Sequence, residues 1–223
     1  MKVIAFGAHP DDIEIGMGGT IAKHASAGDR VVMVITVVPN NRQQRRREAA
    51  RAAEVLGAEL MVLDIPPLEL GHTRSVIKRF DHVLAEVSPD VIYTHWNSDS
   101  HQDHVAVSLA TITATRENNC ALLMYEQTIP GGVVPWGFRA QSYVDITPYM
   151  HIKMQSIGMH KSQVRANGEL WVQGVKGRAM YRGYQVNAEY AEAFEVVKAI
   201  DVYFNREDHA RTHHPANGHT LQH

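Results

Sequence analysis

The length, composition and charge of the chain are those of an ordinary globular protein. It has 223 residues, 44% of them hydrophobic and 21% charged, which favours one domain with a sizeable core. A formal net charge of −2 excludes bulk attraction to nucleic acid or anionic membranes, and no stretch approaches the roughly 20 apolar residues of a membrane span. Cys120 is the only cysteine, which excludes an intrachain disulfide and a multi-cysteine zinc site. We therefore expect a cytoplasmic protein with no nucleic-acid or membrane partner.

Short β-rich runs alternate with helical patterns through the first half of the chain. The apolar and β-branched runs predict five strands, at about residues 3–6, 30–38, 60–63, 91–94 and 120–125. Helices are predicted between them, at about residues 18–27, 42–56, 75–87 and 105–115. This alternation predicts an α/β fold, namely a Rossmann-like parallel sheet with helices on both faces and its first strands in the order 3-2-1-4-5.

The second half of the chain is less regular and is interpreted as part of the same domain. It is predicted to contain an edge strand at 143–146, a helix at about 148–161, a loop at 168–183 and a final helix at 188–199. Five of the 14 histidines then fall in a polar C-terminal tail. We expect one domain over residues 1–205 and a disordered, histidine-rich tail over residues 206–223.

The loop after the first strand carries a histidine and two carboxylates, in the order His9, Pro10, Asp11 and Asp12. Adjacent aspartates repel each other unless positive charge lies nearby, and a divalent cation is the usual source of that charge. His9 and Asp12 are spaced to reach one ion around a turn. Taken alone, the loop equally favours an N-cap role for the two aspartates at the next helix.

The loop after the fourth strand makes the metal interpretation stronger. Residues 95–104 contain three histidines and two aspartates, and the predicted topology brings this loop to the same crevice as the first. Histidine, carboxylate and water suit Zn²⁺, and three protein ligands with an open position are typical of a catalytic site. Asp103, beside His101 and His104, is expected to fix the tautomer of an imidazole.

These two loops resemble the LmbE/PIG-L family of zinc-dependent N-deacetylases. The family carries AHPDD after its first strand, as residues 8–12 do here, and HxDH after its fourth, as residues 101–104 do. Four further segments are similar to the family pattern, at residues 16–20, 45–57, 160–163 and 190–194. The resemblance therefore extends over most of the chain.

The resemblance implies a role for each residue of the two loops. His9, Asp12 and His104 would hold one Zn²⁺ per chain, although other divalent metals also suit this ligand set. Asp11 would be the general base. His101 would stabilise the oxyanion or protonate the leaving amine, and Asp103 would favour the protonated form of His101.

The substrate contacts are less well defined by the pattern. Many family members carry a P-D-G segment after the third strand and an arginine after HxDH, where this chain has residues 65–69 and Val105. Arg45, Asp99 and Trp136 are the candidate substrate contacts, with helix surface and packing as the alternatives for Arg45 and Trp136. Outside this set, His95 is expected either beside the metal ligands or in the wall of the substrate pocket. His160 is expected either to reach the site or to cap the end of its helix.

The leading functional prediction is hydrolysis of a linear amide C–N bond, removing the N-acetyl group from a small amino sugar or sugar conjugate. An amidase acting on a larger acyl group or a thiol-sugar conjugate is the nearest alternative. An Fe(II) oxygenase with a facial triad and a metal-stabilised binding module are more remote. The resemblance also implies a homo-oligomer.

Overall fold

The computed structural model describes residues 1–200, so the predicted histidine-rich tail lies outside the described residues. A seven-stranded sheet with the order β3-β2-β1-β4-β5-β7-β6 forms the centre of the molecule. Its strands are β1 Lys2–Gly7, β2 Arg30–Ile35, β3 Glu59–Val62, β4 Val91–His95, β5 Ala121–Tyr125, β6 Ser142–Asp145 and β7 Ala191–Lys198. The first five strands are parallel, which confirms the 3-2-1-4-5 order, and β7 and β6 then add an antiparallel edge.

Within residues 1–200, six α-helices surround the sheet. They are α1 Asp12–Ser26, α2 Arg42–Leu56, α3 Arg74–Val87, α4 Gln102–Ala114, α5 Met150–Met159 and α6 Lys161–Gln185, with short 3₁₀ helices at Pro67–Glu69, Thr115–Glu117 and Thr147–Tyr149. None of the helices within residues 1–200 is both long and apolar enough to span a membrane.

Helices cover both faces of the sheet, as the sequence predicts. Ile4 and Phe6 of β1 pack among side chains of α3 and α4, whereas Val3 and Ala5 pack among side chains of α1 and α2. Successive residues of a strand point to opposite faces, so a strand covered on both sides is apolar at every position. This is the physical reason for the continuous apolar runs in the sequence.

The glycine-rich segment after the first loop serves close packing. Helix α1 begins at Asp12, six residues before the predicted start, and its regular backbone is interrupted at Met17. A Cβ atom on Gly16 would lie 2.3 Å from the Tyr125 ring, and one on Gly19 would lie 2.7 Å from Ile146. The glycines therefore allow α1 to lie close to the sheet and to the segment that precedes α5.

Two predictions for the second half were wrong. The predicted loop at 168–183 lies within α6, whose buried residues Trp171, Val175 and Ala179 recur every four positions. The predicted helix at 188–199 is strand β7, which pairs with β5 on one side and β6 on the other. In both segments, tertiary burial outweighs the local propensity on which the predictions relied. The edge strand and the helix expected near 148–161 are present as β6 and α5.

Candidate active site

The candidate site lies between β1 and β4, where the strand order reverses. Helix α1 begins five residues after the end of β1, and α4 begins seven residues after the end of β4. The two strands pair in parallel, so both loops leave the same edge of the sheet. Helix α4 starts three residues earlier than predicted, which places His104 in its first turn.

The centre of the site is the carboxylate of Asp12, which lies between two imidazoles. Oδ2 of Asp12 is 3.5 Å from Nδ1 of His9, and Oδ1 is 3.4 Å from Nε2 of His104. The three residues offer ligand atoms that all lie within 4.8 Å of one another, and Asp12 and His104 are almost fully buried. Two imidazole nitrogens and a carboxylate oxygen this close are a suitable donor set for a divalent cation.

Each of these imidazoles is hydrogen-bonded, through the nitrogen that does not face Asp12, to a second carboxylate. Nε2 of His9 donates to Oδ2 of Asp103 at 2.9 Å, and Nδ1 of His104 donates to Oδ2 of Asp99 at 3.0 Å. The nitrogens that face Asp12 are therefore the ones left with lone pairs when the rings are neutral. The other oxygen of Asp99 accepts from the backbone N–H of His101 at 2.9 Å, so both oxygens of the proposed substrate contact Asp99 are occupied by protein groups.

The charges of this group shift the pKa values of its members in opposite directions. Burial lowers the pKa of His9, but hydrogen bonds to Asp103 and Asp12 outweigh it and raise that pKa to about 9. Burial likewise opposes protonation of His104, yet Asp12 and Asp99 raise its pKa to about 10. The carboxyl of Asp12 is held well below its usual pKa by His104 and His95, despite its burial. The carboxylates thus favour positive charge at this position, whether protons or a cation supply it.

Asp11 occupies the N-cap position of α1 but makes no capping hydrogen bond with its side chain. Its φ of 112° lies in the left-handed region, and Oδ1 of its carboxylate lies 3.7 Å from Nη2 of Arg45. Burial, and then the charge of Asp12, raise the pKa of the Asp11 carboxyl to about 7. A carboxyl with this pKa can accept a proton at neutral pH and release it again.

His101 is the N-cap of α4, and its Nδ1 accepts a hydrogen bond from the backbone N–H of Asp103 at 3.1 Å. Neutral His101 must then carry its proton on Nε2, which makes Nε2 a donor. Burial and the neighbouring His104 lower the pKa of His101. The charge of Asp103 raises the pKa of His101, as expected, but burial and His104 outweigh this effect, and the hydrogen bond of the Asp103 carboxylate goes to His9. His9, His101 and Asp103 form a second, more exposed group of possible ligands that shares His9 with the first.

Arg45 and Trp136 lie on different sides of the site. Arg45 is buried, donates from Nη2 to the carbonyl of Pro10 at 2.8 Å and approaches Asp11 to 3.7 Å. Trp136 is 69% exposed and lines a cavity of about 180 Å³ together with Trp96 and Phe138. Asp99 also lines this cavity, so Trp136 and the loop after β4 border the same opening. Arg45 instead contacts the loop after β1, through Pro10 and Asp11.

Three further residues belong to the surroundings of the site: His95 and His160, for which the sequence left two alternatives each, and Gln127, which the sequence did not predict. Nε2 of His95 accepts from the backbone N–H of Ala8 at 2.9 Å, and its ring stacks on that of His104 with 4.0 Å between centroids. His160 is the C-cap of α5 through its backbone N–H, which donates to the carbonyl of Ile157, while its buried side chain lies 2.8 Å from Glu14. Gln127 donates from Nε2 to Oδ1 of Asp12 at 2.9 Å. Its position two residues beyond β5, at the same sheet edge, is the only signal in the sequence that points to it.

The fold and the site define a class of α/β protein that carries a group of histidines and aspartates at the carboxyl edge of the parallel strands of its sheet. The PIG-L family, described as GlcNAc-PI de-N-acetylase, matches residues 4–115, half of the chain. The chain belongs to this family, and it is accordingly a deacetylase, an enzyme that hydrolyses amide bonds.

Curated relatives and solved structures are similar over most of the chain. A diacetylchitobiose deacetylase from Thermococcus kodakarensis is 28% identical, with 89% of this chain and 84% of the relative covered. The N,N'-diacetylchitobiose deacetylase structure from Pyrococcus horikoshii superposes with a TM-score of 0.76 at 23% identity, covering 94% of this chain and 88% of that one. GalB, the 4-carboxy-2-hydroxymuconate hydratase of Pseudomonas putida, has a TM-score of 0.75 at 21% identity, covering 89% and 97%. Since these superpositions include a hydratase, they show the fold alone, and the metal ion and the substrate have to be argued from the site.

Proposed function

We propose that this protein is a zinc-dependent N-deacetylase of amino sugars or their conjugates, with the ion held by His9, Asp12 and His104. The observation that carries the proposal is the pair of imidazoles that face Asp12 while their outer nitrogens are bound to Asp103 and Asp99. Carboxylate–imidazole pairs of this kind are typical of zinc ligands. The alternative group of His9, His101 and Asp103 fits less well, because two of its members, His9 and Asp103, are hydrogen-bonded to each other and the group is more exposed.

A bound zinc ion would supply Lewis acidity, which lowers the pKa of water and polarises an amide carbonyl. Asp11 accepts the proton that the attacking water loses, since its carboxyl has a pKa near neutrality and no capping bond that competes for it. When the C–N bond breaks, the leaving amine takes up one proton, and protonated Asp11 can return it. The proton count then balances over one turnover.

His101 acts as a hydrogen-bond donor to the oxygen on which negative charge develops. Its Nδ1 is occupied by a backbone N–H, so a neutral ring presents an N–H at Nε2 without having to be protonated. Its ring centroid is 5.0 Å from that of His9 and 4.7 Å from that of His104. His101 therefore lies beside the metal group, by which we mean His9, Asp12 and His104. A preorganised donor at this position stabilises an oxyanion. This is the first of the two roles that the resemblance implies for His101, with a neutral ring as the donor.

An N-acetylated amino sugar is the substrate class that we infer. The family description and the Thermococcus relative both concern N-acetylated amino sugars or their conjugates. Trp136, exposed at the mouth of the cavity, offers an apolar face on which a sugar ring can stack. Because both oxygens of Asp99 are engaged, we assign it to the orientation of His104 rather than to substrate. A direct contact from Arg45 stays a prediction.

The test is acetate release by the zinc-loaded protein from N-acetylglucosamine, N,N'-diacetylchitobiose and N-acetylated glycoconjugates, with free amine measured in parallel. Equal amounts of acetate and amine are expected. Release of a longer acyl group in preference to acetate would favour the larger-acyl amidase. Turnover that requires dioxygen would identify the oxygenase, and the absence of turnover with every amide would leave a binding module. The predicted homo-oligomer and cytoplasmic location remain predictions, and a size measurement in solution tests the first.

A further inference from the structure

Gln127 lies at the edge of the sheet that carries the metal group, in the segment that follows β5. The residues on either side of it are held by α6. Arg182 makes two hydrogen bonds to the carboxylate of Glu126, at 2.7 and 2.6 Å, and Arg178 donates to Oγ1 of Thr128 at 3.1 Å. The backbone of Gln127 is therefore held on both sides, and its side chain is only 5% exposed.

The orientation of the Gln127 amide is determined by Asp12. Nε2 of Gln127 donates to Oδ1 of Asp12 at 2.9 Å. An ionised carboxylate accepts hydrogen bonds and does not donate them, so the NH₂ group must face Asp12 and the carbonyl oxygen must face the other way. The position of Oε1 follows from this contact rather than from an arbitrary choice between the two ends of the amide.

Oε1 of Gln127 is buried and has no hydrogen-bond partner among residues 1–200. Buried acceptors are nearly always paired, and an unpaired one in a site points to a ligand that completes it. Gln127 also lines the cavity of about 180 Å³ that Trp96, Asp99 and Trp136 border. Gln127, with its buried and unpaired acceptor, therefore lies between the cavity and the metal group.

The distances identify the donor that Oε1 can reach. From the length of the contact with Asp12 and the dimensions of an amide, Oε1 lies at most about 5 Å from Oδ1 of Asp12. The oxygen and nitrogen of a substrate amide are only about 2.2 Å apart, so an amide whose carbonyl is held at the metal group has its N–H in the same region. Sugar hydroxyls lie several bonds further from the reacting carbonyl.

We propose that the side-chain carbonyl of Gln127 accepts a hydrogen bond from the N–H of the amide that is cleaved, and so positions that amide and selects it over an ester. This proposal rests on the proposed deacetylase function. An ester in the same position has an oxygen with lone pairs opposite Oε1 and no proton to donate. Gln127 then contributes to specificity from one end of its side chain and to the orientation of Asp12 from the other.

The experiment compares two probes that differ only in this atom: methyl 2-acetamido-2-deoxyglucoside and methyl 2-O-acetylglucoside. The zinc-loaded full chain is assayed with both, as wild type and as Gln127→Met, which removes the acceptor at similar volume. The measured quantity is the ratio of kcat/KM for the amide to kcat/KM for the ester. Because both values come from one preparation, partial loss of zinc or of folded protein cancels in the ratio.

We expect the ratio to fall about tenfold in Gln127→Met, the scale of one neutral hydrogen bond. Asp103→Asn is the control: it disturbs His9 and should slow both probes without changing their ratio. A ratio within about twofold of wild type in Gln127→Met overturns the proposal and leaves Oε1 to a water molecule or a sugar hydroxyl. An equal change in Asp103→Asn also overturns it. If the wild type releases acetate from neither probe nor from any other N-acetyl compound, the proposed function fails as well.

Discussion

Nε2 of His9 lies 2.9 Å from Oδ2 of Asp103, and this hydrogen bond joins the loop after β1 to the first turn of α4. The hydrogen bond from His9 is the main reason why the pKa of the Asp103 carboxyl is lowered, so Asp103 stays ionised and Nε2 is the donor. Nδ1 of His9 therefore keeps its lone pair on the side of Asp12. One residue of α4 decides which nitrogen of His9 is offered to a metal ion.

Asp103→Asn should weaken zinc binding by about 10- to 100-fold, because an asparagine is a poorer acceptor for Nε2 of His9 and no longer fixes its tautomer. Competition with a chromophoric chelator measures the affinity. Asp81→Asn, on the exposed surface of α3, is the matched control and should bind zinc like the wild type. Equal affinities in Asp103→Asn and wild type would contradict the role of Asp103.

Asp11→Asn should retain zinc and lower kcat by about 10²-fold or more, because an amide cannot accept the proton of the attacking water. Zinc content by elemental analysis and kcat on N-acetylglucosamine give the two measurements. In the wild type the rate should fall as the pH decreases through the pKa of Asp11, about 7 in the absence of a cation and lower beside one. An unchanged kcat in Asp11→Asn would remove Asp11 from the reaction.

Zinc affinity should rise with pH. His9 and His104 have pKa values of about 9 and 10 without a cation, so both rings are protonated at pH 7 and must lose protons before they can bind zinc. Calorimetry in buffers of different ionisation enthalpy should detect proton release at pH 7 that disappears above about pH 10. Zinc binding without proton release at pH 7 would show that these rings are already neutral.

The raised pKa values of His9 and His104 also predict how the stability of the metal-free protein depends on pH. Both folded-state pKa values are above the unfolded value of about 6.5, so their stabilising contribution is complete below that pH and is lost as the pH rises through about 9 to 10. The Tm of the metal-free protein should therefore decrease over this range, and that of the zinc-loaded protein should decrease less. Parallel Tm curves for the two forms would contradict this linkage.

Lys153→Met should reduce the free energy of unfolding by about 3–5 kcal/mol, because it leaves the buried carboxylate of Glu192 without its ion pair. Glu192 also accepts from the backbone N–H groups of Gly19 and Thr20, and Lys153 donates to the carbonyl of Ile15, so the pair holds the interrupted helix α1 together.

Chemical denaturation measures the free energy of unfolding of Lys153→Met and of the wild type. Lys161→Met, at the exposed start of α6, is the control and should change the stability by less than about 0.5 kcal/mol. The double variant Lys153→Met, Glu192→Leu should recover only part of the loss, since the amides of α1 then lose their acceptor. Full stability in Lys153→Met alone would mean that the pair is not needed.

Trp136→Ala should raise KM for N-acetylated sugars about tenfold with little change in kcat, because the exposed indole is expected to bind the sugar and not the reacting amide. Leu68→Ala, at a fully exposed apolar side chain, is the control. If the size of the particle in solution changes and KM does not, Trp136 belongs to a contact between subunits. The high exposure of Trp136 already speaks against the alternative that it packs in the core of the chain.

The parallel half of the sheet and the composition of the metal group follow from the sequence. The continuous apolar runs require strands buried on both faces, and the helical patterns between them require crossovers, so the order of β1 to β5 has few alternatives. That order brings the loops with His9 and His104 to one crevice. Dense clusters of histidine and aspartate at such a position favour a metal site over a role in packing.

Long-range packing determined the structure of residues 168–199 and the hydrogen-bond partners within the site. Local propensity in residues 168–199 favoured a loop and then a helix. Packing of Trp171 against Ile15 and Ile157, and pairing of Ala193 with Tyr143 in the sheet, reversed both, because these contacts join segments that are separate in the sequence. The partners of Asp103 and the contact of Gln127 with Asp12, 115 residues away, likewise depend on geometry that local spacing does not encode. The sequence by itself determined which ligand types reach the crevice, and only the tertiary structure decided which nitrogen or oxygen each residue presents there.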